Sequence, residues 1–535
     1  MPTPGPCGHP SPSRRARARH TRPRAAPAAG RLRALLRLLA ATLLGGNLLA
    51  AGPARALEEV VIEFPLLDLD VIVRVAELED PALLLRGTSD LAELDRASGG
   101  RLGPKLTEVF NQPVPVDLIN IAEGSVGSPL LEQALLVLSS LGTLEGAPEN
   151  FSGAELQQAL RAASAAGEPT LLALIKAIPG DRVRLDLGRI REVSEAMLRQ
   201  RRVSEELIAA LPAAPLAAAA PAAAPVRRSE QQLAVQHRPE PLDVVLLQPV
   251  DGGNGRLVLI SHGLWDAPSS FEGWGRRLAA AGYTVGLPRH PGSDREQQRE
   301  VLRGELPPPS PEELVLRPMD ISAVIDGVAA GRLGAGAIET ERVVVIGHSW
   351  GATTALQVAG TPTSDTALRA RCSDLNDPDR NLSWTLQCSW LTAADAGALG
   401  DRRVIATVAV SPPLALLFPP GSGAQMHARM LMVSGSRDWV VPPDPEAVLP
   451  ISRGVATQLG HRLVLAQGGD HFNLRPGESA GGGVLGALIL SWTDGAFAAG
   501  EAARPSEGAA SLFSSTTWGH AQIPLVDVSE RLGRE

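Results

Sequence analysis

Val343-Val344-Val345-Ile346-Gly347-His348-Ser349-Trp350-Gly351-Ala352-Thr353-Thr354-Ala355 is the stretch on which the reading of this chain turns. Four apolar residues in a row predict a buried strand, and the run after Gly351 predicts a helix. Between them stands G-x-S-x-G. A turn this sharp needs glycine at both flanks, because no side chain fits where the backbone doubles back, and it lifts the serine hydroxyl into open space. The pentapeptide alone is a weak signal in a chain with 54 glycines. An ordinary strand–helix turn with a capping serine would also carry it. Its setting, strand before and helix after, makes Ser349 the candidate nucleophile.

The rhythm around this stretch is strand, helix, strand. Apolar runs predict strands over 243–248, 257–261, 284–287, 342–346, 404–410, 430–434 and 463–466. Helical periodicity falls over 271–281, 321–330, 350–359 and 484–492. Such alternation predicts an α/β fold: a mostly parallel sheet with helices on both faces. In such sheets, sites form at the carboxyl ends of the strands.

A serine hydroxyl is unreactive at neutral pH without a base. Its partners are expected in the order acid, then histidine. Asp438 follows the run 430–434 by four residues, where a strand end opens into a loop. Asp444 and Glu446 are rivals, but they lie beyond the Pro442-Pro443 break. His471 stands in Gly468-Gly469-Asp470-His471-Phe472-Asn473, just after the run 463–466. His461 and His427 precede their strands, at the wrong end of the sheet, and His520 lies near the end of the sequence. His348, beside the nucleophile, is expected to support the turn by hydrogen bonding. Two N–H donors must also face the developing negative oxygen, each worth about 3 kcal/mol of barrier. The candidates are Trp350, after the nucleophile, and Leu264 in Ser261-His262-Gly263-Leu264-Trp265.

Ser-His-Gly-Leu, Gly-His-Ser-Trp-Gly, the strand-end Asp438 and Gly-Asp-His471 together resemble the α/β-hydrolase superfamily. Within it, the chain looks most like the platelet-activating-factor acetylhydrolase and dienelactone-hydrolase-like branch. Phe64-Pro65-Leu66-Leu67 and Ser128-Pro129-Leu130-Leu131-Glu132 resemble a helical domain that precedes such hydrolases in some bacterial exported proteins. The resemblance implies an α/β-hydrolase fold behind a mainly helical N-terminal domain. It also implies a Ser-His-Asp triad, no metal, no cofactor, and hydrolysis of carboxylic esters, among them lipid or short-acyl esters. Dienelactone hydrolases proper use a cysteine where Ser349 stands, so their substrate does not carry over. Two other readings compete: a peptidase or amidase on the same fold, and a non-catalytic binding module on a hydrolase scaffold.

The 535 residues predict more than one body. Residues 1–56 hold ten arginines and no acid, an apolar run over 38–51 and Ala54-Arg55-Ala56. That is the pattern of a cleaved export signal, which implies a periplasmic or secreted protein. Without those arginines, 40 basic side chains face 58 acidic ones, a net charge of −18. A body this acidic lacks the cationic footprint that nucleic acid requires. The expected partner is a small-molecule or lipid ester, with membrane contact only through the signal or the substrate. The mainly helical domain is expected over 57–200, an Ala/Pro-rich linker over 201–228, the hydrolase domain over 229–500 and a tail over 501–535. An insertion over 361–401 carries Cys372, Cys388, Trp384 and Trp390. It reads as a lid closed by a Cys372–Cys388 disulfide, with its aromatic surface facing the active site. Such a bond would stabilise by about 3 kcal/mol through chain entropy.

Overall fold

The computed structural model describes residues 57–64, 69–111, 128–139, 142–146, 161, 170–178, 180–218, 224–303, 305–397, 399–452, 456–477 and 481–532. The expected export segment 1–56 lies outside the described residues. The described residues fall into one compact unit.

The N-terminal region folds around a small sheet of β1 (Glu59–Phe64), β2 (Leu69–Arg74), β3 (Gly142–Glu145) and β4 (Arg182–Asp186), in the order β2-β1-β4-β3. Helices Pro81–Arg86, Asp90–Ala97, Leu102–Phe110, Pro129–Ser139 and Leu171–Ala177 accompany it. Ser89 caps the second of these by accepting from Ala92 N at 3.2 Å. Asp95 turns inward and accepts from Leu102 N and Gly103 N, capping the helix that follows.

The expected boundary at 200 falls inside a 23-residue helix, Leu187–Ala209. Asp186 caps its start, and Ile208 near its end enters the main hydrophobic core. The linker is therefore shorter than expected, because a strand already begins at Val226.

The main sheet has nine strands: β5 (Val226–Leu233), β6 (Leu242–Pro249), β7 (Arg256–Ser261), β8 (Thr284–Pro288), β9 (Glu339–His348), β10 (Val404–Val410), β11 (Arg429–Gly435), β12 (Arg462–Ala466) and β13 (Leu525–Asp527). Their order is β13-β12-β11-β10-β9-β7-β8-β6-β5. The six from β8 to β12 run parallel, and β5, β6 and β13 make the antiparallel pairings at the two margins. Alternation along β9 explains its unbroken apolar run. Val343 and Val345 enter the core on one face, and Val344 and Ile346 the core on the other. A strand covered on both sides has no polar face to show.

The structure departs from expectation in two places. The expected tail after residue 500 completes the sheet: β13 pairs with β12, and Leu512 and Trp518 are buried. The segment 361–401 is not an aromatic surface over the site. Its Trp384 and Trp390 are wholly buried in the main core, and Trp390 packs on Trp350 at 5.1 Å between ring centroids. Cys372 and Cys388 are joined in a disulfide. Two indoles are too large to leave in water when a core lies beside them.

Candidate active site

Ser349 sits between β9 and the helix Trp350–Val358, with φ at 55°. This is left-handed backbone, costly for a residue with a side chain and held only by surrounding structure. The cause lies in its neighbours. A Cβ on Gly347 would stand 2.0 Å from Gly351 O, and one on Gly351 would stand 2.1 Å from Ser261 O. The two glycines let the chain reverse against the end of β7. Ser349 N donates to Val410 O at 2.9 Å, which ties the turn to β10 as well.

Asp438 and His471 come together at the ends of β11 and β12. His471 Nδ1 lies 2.9 Å from Asp438 Oδ2. The other carboxylate oxygen accepts from Val440 N at 3.0 Å and Val441 N at 2.8 Å. The carboxylate is thus fixed by its own loop and presents one oxygen to the imidazole. The histidine loop is held as firmly. Asp470 Oδ1 accepts from Phe472 N and Asn473 N, while Asn473 Oδ1 accepts from Asp470 N, each at 2.8 Å. Arg437 N donates to Gly469 O at 2.8 Å and joins the two loops.

His348 connects this pair to the serine. Its Nε2 donates to His471 O at 2.9 Å, and the two rings lie 4.8 Å apart. Burial, with the nearby His471 adding to it, pushes the His348 pKa well below the ordinary range, so the ring is neutral. A neutral ring that donates from Nε2 leaves Nδ1 without a proton. His348 holds the histidine loop in place through its bond to His471 O. Ser349 and His471 are both nearly buried, at 8% and 6% exposed.

The loop after β7 closes the other side. A Cβ on Gly263 would stand 3.2 Å from Ser349 Cβ, tighter than an ordinary contact, so glycine here lets the loop lie against the serine without crowding it. Among the described residues, neither Leu264 N nor Trp350 N has a hydrogen-bond acceptor. Asp266 accepts from Arg475 Nη1 at 2.9 Å, which joins this loop to the histidine loop.

The rival residues are engaged elsewhere. Glu446 is wholly buried. Its carboxylate accepts from Asn381, Ser383 and Gln387 of the insertion and from Leu414 N and Ala415 N. Asp444 opens the helical turn Asp444–Val448. His461 Nδ1 accepts from Met430 N at 3.0 Å, and His427 Nε2 lies 2.8 Å from Asp401 O. A cavity of about 450 Å³ lies between helix Leu187–Ala209, the segment around Leu382, and Trp439. Its walls reach the Asp438 loop and not Ser349.

Sequence reasoning missed a buried polar cluster behind the Gly263 loop. Helix Glu313–Ala329 delivers Glu313, Arg317 and Asp320 to one place, all nearly or wholly buried. Arg238 bridges Glu313 and Asp320 at 2.7 Å to each. His290 Nδ1 lies 2.8 Å from Asp320 Oδ2, and its Nε2 lies 2.9 Å from Ser261 Oγ. Burial would raise the Asp320 pKa, but hydrogen bonds from His237, His290 and Arg238 hold it below the usual carboxylate range. The spacing of charges at 313, 317 and 320 in an otherwise apolar run was the available signal, since those positions share one helix face.

No curated protein matches the chain. Residues 257–524, which span β7 to the last turn before β13, match the model of the alpha/beta hydrolase family, and the chain belongs to that family.

Proposed function

We propose that this member of the family is an exported serine hydrolase of carboxylic esters, with Ser349 as nucleophile, His471 as base and Asp438 as orienting acid. One observation carries the reading. Asp438 takes the Nδ1 side of His471, so Nε2 is the nitrogen left to receive a proton, in a residue whose backbone carbonyl is held by His348, the neighbour of Ser349.

In the reaction, Ser349 Oγ attacks the ester carbonyl and passes its proton to His471 Nε2. Asp438 keeps the ring oriented and balances its charge. The N–H groups of Leu264 and Trp350 receive the tetrahedral oxyanion. The carbon–oxygen bond to the alcohol then breaks, and the alcohol leaves with the proton from His471. Water attacks the acyl-enzyme with His471 as base, releasing the acid and restoring Ser349.

The branch that the motifs resemble is the platelet-activating-factor acetylhydrolase and dienelactone-hydrolase-like one. The Arg-rich start with its Ala54-Arg55-Ala56 site supports export, and the disulfide fits an oxidising compartment. Sequencing the N-terminus of the exported protein is expected to begin at Leu57.

Hydrolysis of short-chain p-nitrophenyl esters by the wild type and by Ser349→Ala tests the activity. The wild type is expected to turn over, and the variant to fall to background. Equal background rates in both would remove the ester assignment. A fluorophosphonate probe that labels Ser349 without ester turnover would favour a peptidase or amidase.

A further inference from the structure

Arg317 is wholly buried, yet among the described residues it makes no ion pair within 4.0 Å. A buried guanidinium is costly unless its donors are satisfied. Its donors go instead to backbone oxygens and one hydroxyl around the Gly263 loop. Nη1 donates to His262 O at 2.8 Å, and Nη2 to Gly263 O at 3.2 Å and Ser293 O at 3.3 Å. Nε donates to Ser293 Oγ at 2.9 Å. The guanidinium carbon also lies 4.4 Å from the centroid of the Trp350 ring. Burial brings the Arg317 pKa down to about 9, with the charges of Glu313 and Asp320 opposing that fall.

Two of these contacts bear on the residues that carry the candidate oxyanion donors. Gly263 O is the carbonyl end of the amide whose other end is Leu264 N–H. A trans peptide is planar, so fixing the carbonyl fixes the direction of the N–H. A donor on the carbonyl also polarises the amide and strengthens the N–H as a donor. The second N–H belongs to Trp350, whose indole is held between this guanidinium and Trp390.

We infer that Arg317 is a positioning residue for oxyanion stabilisation: its guanidinium orients the Leu264 N–H through Gly263 O and packs on the side chain of Trp350, which carries the second donor. The inference rests on the proposed serine-hydrolase reading. It differs from a merely structural role in its kinetic signature. Donors aimed at the transition state lower kcat when disturbed and leave ground-state binding alone.

The test compares wild type, Arg317→Met, Arg317→Lys and Ser293→Ala. Arg317→Met is expected to lower kcat about 100-fold with KM within about threefold, the scale of losing one oxyanion donor. Arg317→Lys is expected to recover part of that loss, because it keeps the charge and fewer of the contacts. Ser293→Ala, which removes only the hydroxyl acceptor, is expected to lose less than tenfold, with the same split. A trifluoromethyl ketone, which mimics the tetrahedral state, is expected to weaken in step with kcat. If Arg317→Met fails to fold, Arg317→Lys and Ser293→Ala decide the matter. Wild-type kcat and ketone affinity in folded Arg317 variants would overturn the inference while leaving the ester reading intact. The rate of fluorophosphonate labelling of Ser349 keeps the two separable. If the wild type labels but cleaves no ester, the ester reading fails, and slower labelling of the Arg317 variants still reports on the oxyanion donors.

Discussion

Asp438 and His471, 33 positions apart in sequence, meet at 2.9 Å through Oδ2 and Nδ1 at the ends of neighbouring parallel strands. Replacing the acid by its amide keeps the shape and changes the chemistry. The new side chain could turn its NH2 toward the ring and favour the tautomer with the proton on Nε2, the wrong side for a base. Asp438→Asn is therefore expected to lower kcat by about 10³–10⁴-fold with little change in melting temperature. Steady-state kinetics beside a thermal melt checks both halves, and a kcat within tenfold of wild type would remove Asp438 from the mechanism.

The elbow glycines differ in kind from the glycines of open turns. A Cβ on Gly351 meets the backbone of Ser261 at 2.1 Å, and backbone cannot yield. Gly351→Ala is expected to cost more than about 3 kcal/mol or to prevent folding. Gly252, at φ +72° with nothing within 4 Å, offers the contrast. Gly252→Ala is expected to cost only about 1 kcal/mol, for the left-handed backbone alone. Urea unfolding of the two variants measures the difference.

Buried histidines set the response to acid. Burial brings both His290 and His461 down to about 4, and holds His262 and His348 well below the ordinary value. Unfolded, each titrates near its ordinary value of about 6.5. Between that value and the folded one, the unfolded chain binds more protons, so stability rises with pH. Folding stability from these groups is full above about pH 6.5 and is lost as pH falls toward 4, by roughly 1 kcal/mol per pH unit for each. Melting temperature measured from pH 8 to pH 4 is expected to hold steady and then drop below about 6.5. A flat profile through pH 5 would show that these rings take up protons in the native state.

The disulfide stands within the core, with Cys372 and Cys388 buried beside Trp384 and Trp390. Cys372→Ser with Cys388→Ser is expected to cost about 3 kcal/mol in stability. The acyl chain-length preference is expected to stay the same, because the segment it closes anchors the core and does not present its tryptophans to the site. A calorimetric scan and a series of p-nitrophenyl esters test the two parts, and a shifted chain-length profile would restore the lid reading.

Local signals made most of the site legible. The elbow, the Asp438 loop and the His471 loop are each written in a few contiguous residues at a strand end, where glycine, an acid or a histidine has a positional meaning. What stayed hidden depends on contacts distant in sequence. Pro318 lies inside helix Glu313–Ala329, so the helix reads as beginning only at Ile321, and Arg317 falls outside it. The carbonyl of Leu314, which Pro318 cannot serve, is instead satisfied by Gln357 Nε2 at 3.1 Å, from the helix after Ser349. Charged β5 was unreadable for a different reason: an edge strand carries polar side chains that defeat unwanted pairing. Trp384 and Trp390 sit among polar neighbours, and only the packing reveals them as core.

The far end of the sheet has its own consequence for biogenesis. Ala214 N donates to Leu525 O, Gly519 N to Pro215 O, and β13 covers the margin of β12. A chain emerging N-terminus first leaves 214–217 without these partners until residues some three hundred positions later have followed, and leaves the outer side of β12 open until β13, about sixty positions on, has emerged. That interval leaves an unpaired strand edge facing other nascent chains, so the last seam to be sealed is also the place where crowding during synthesis and transport does most harm.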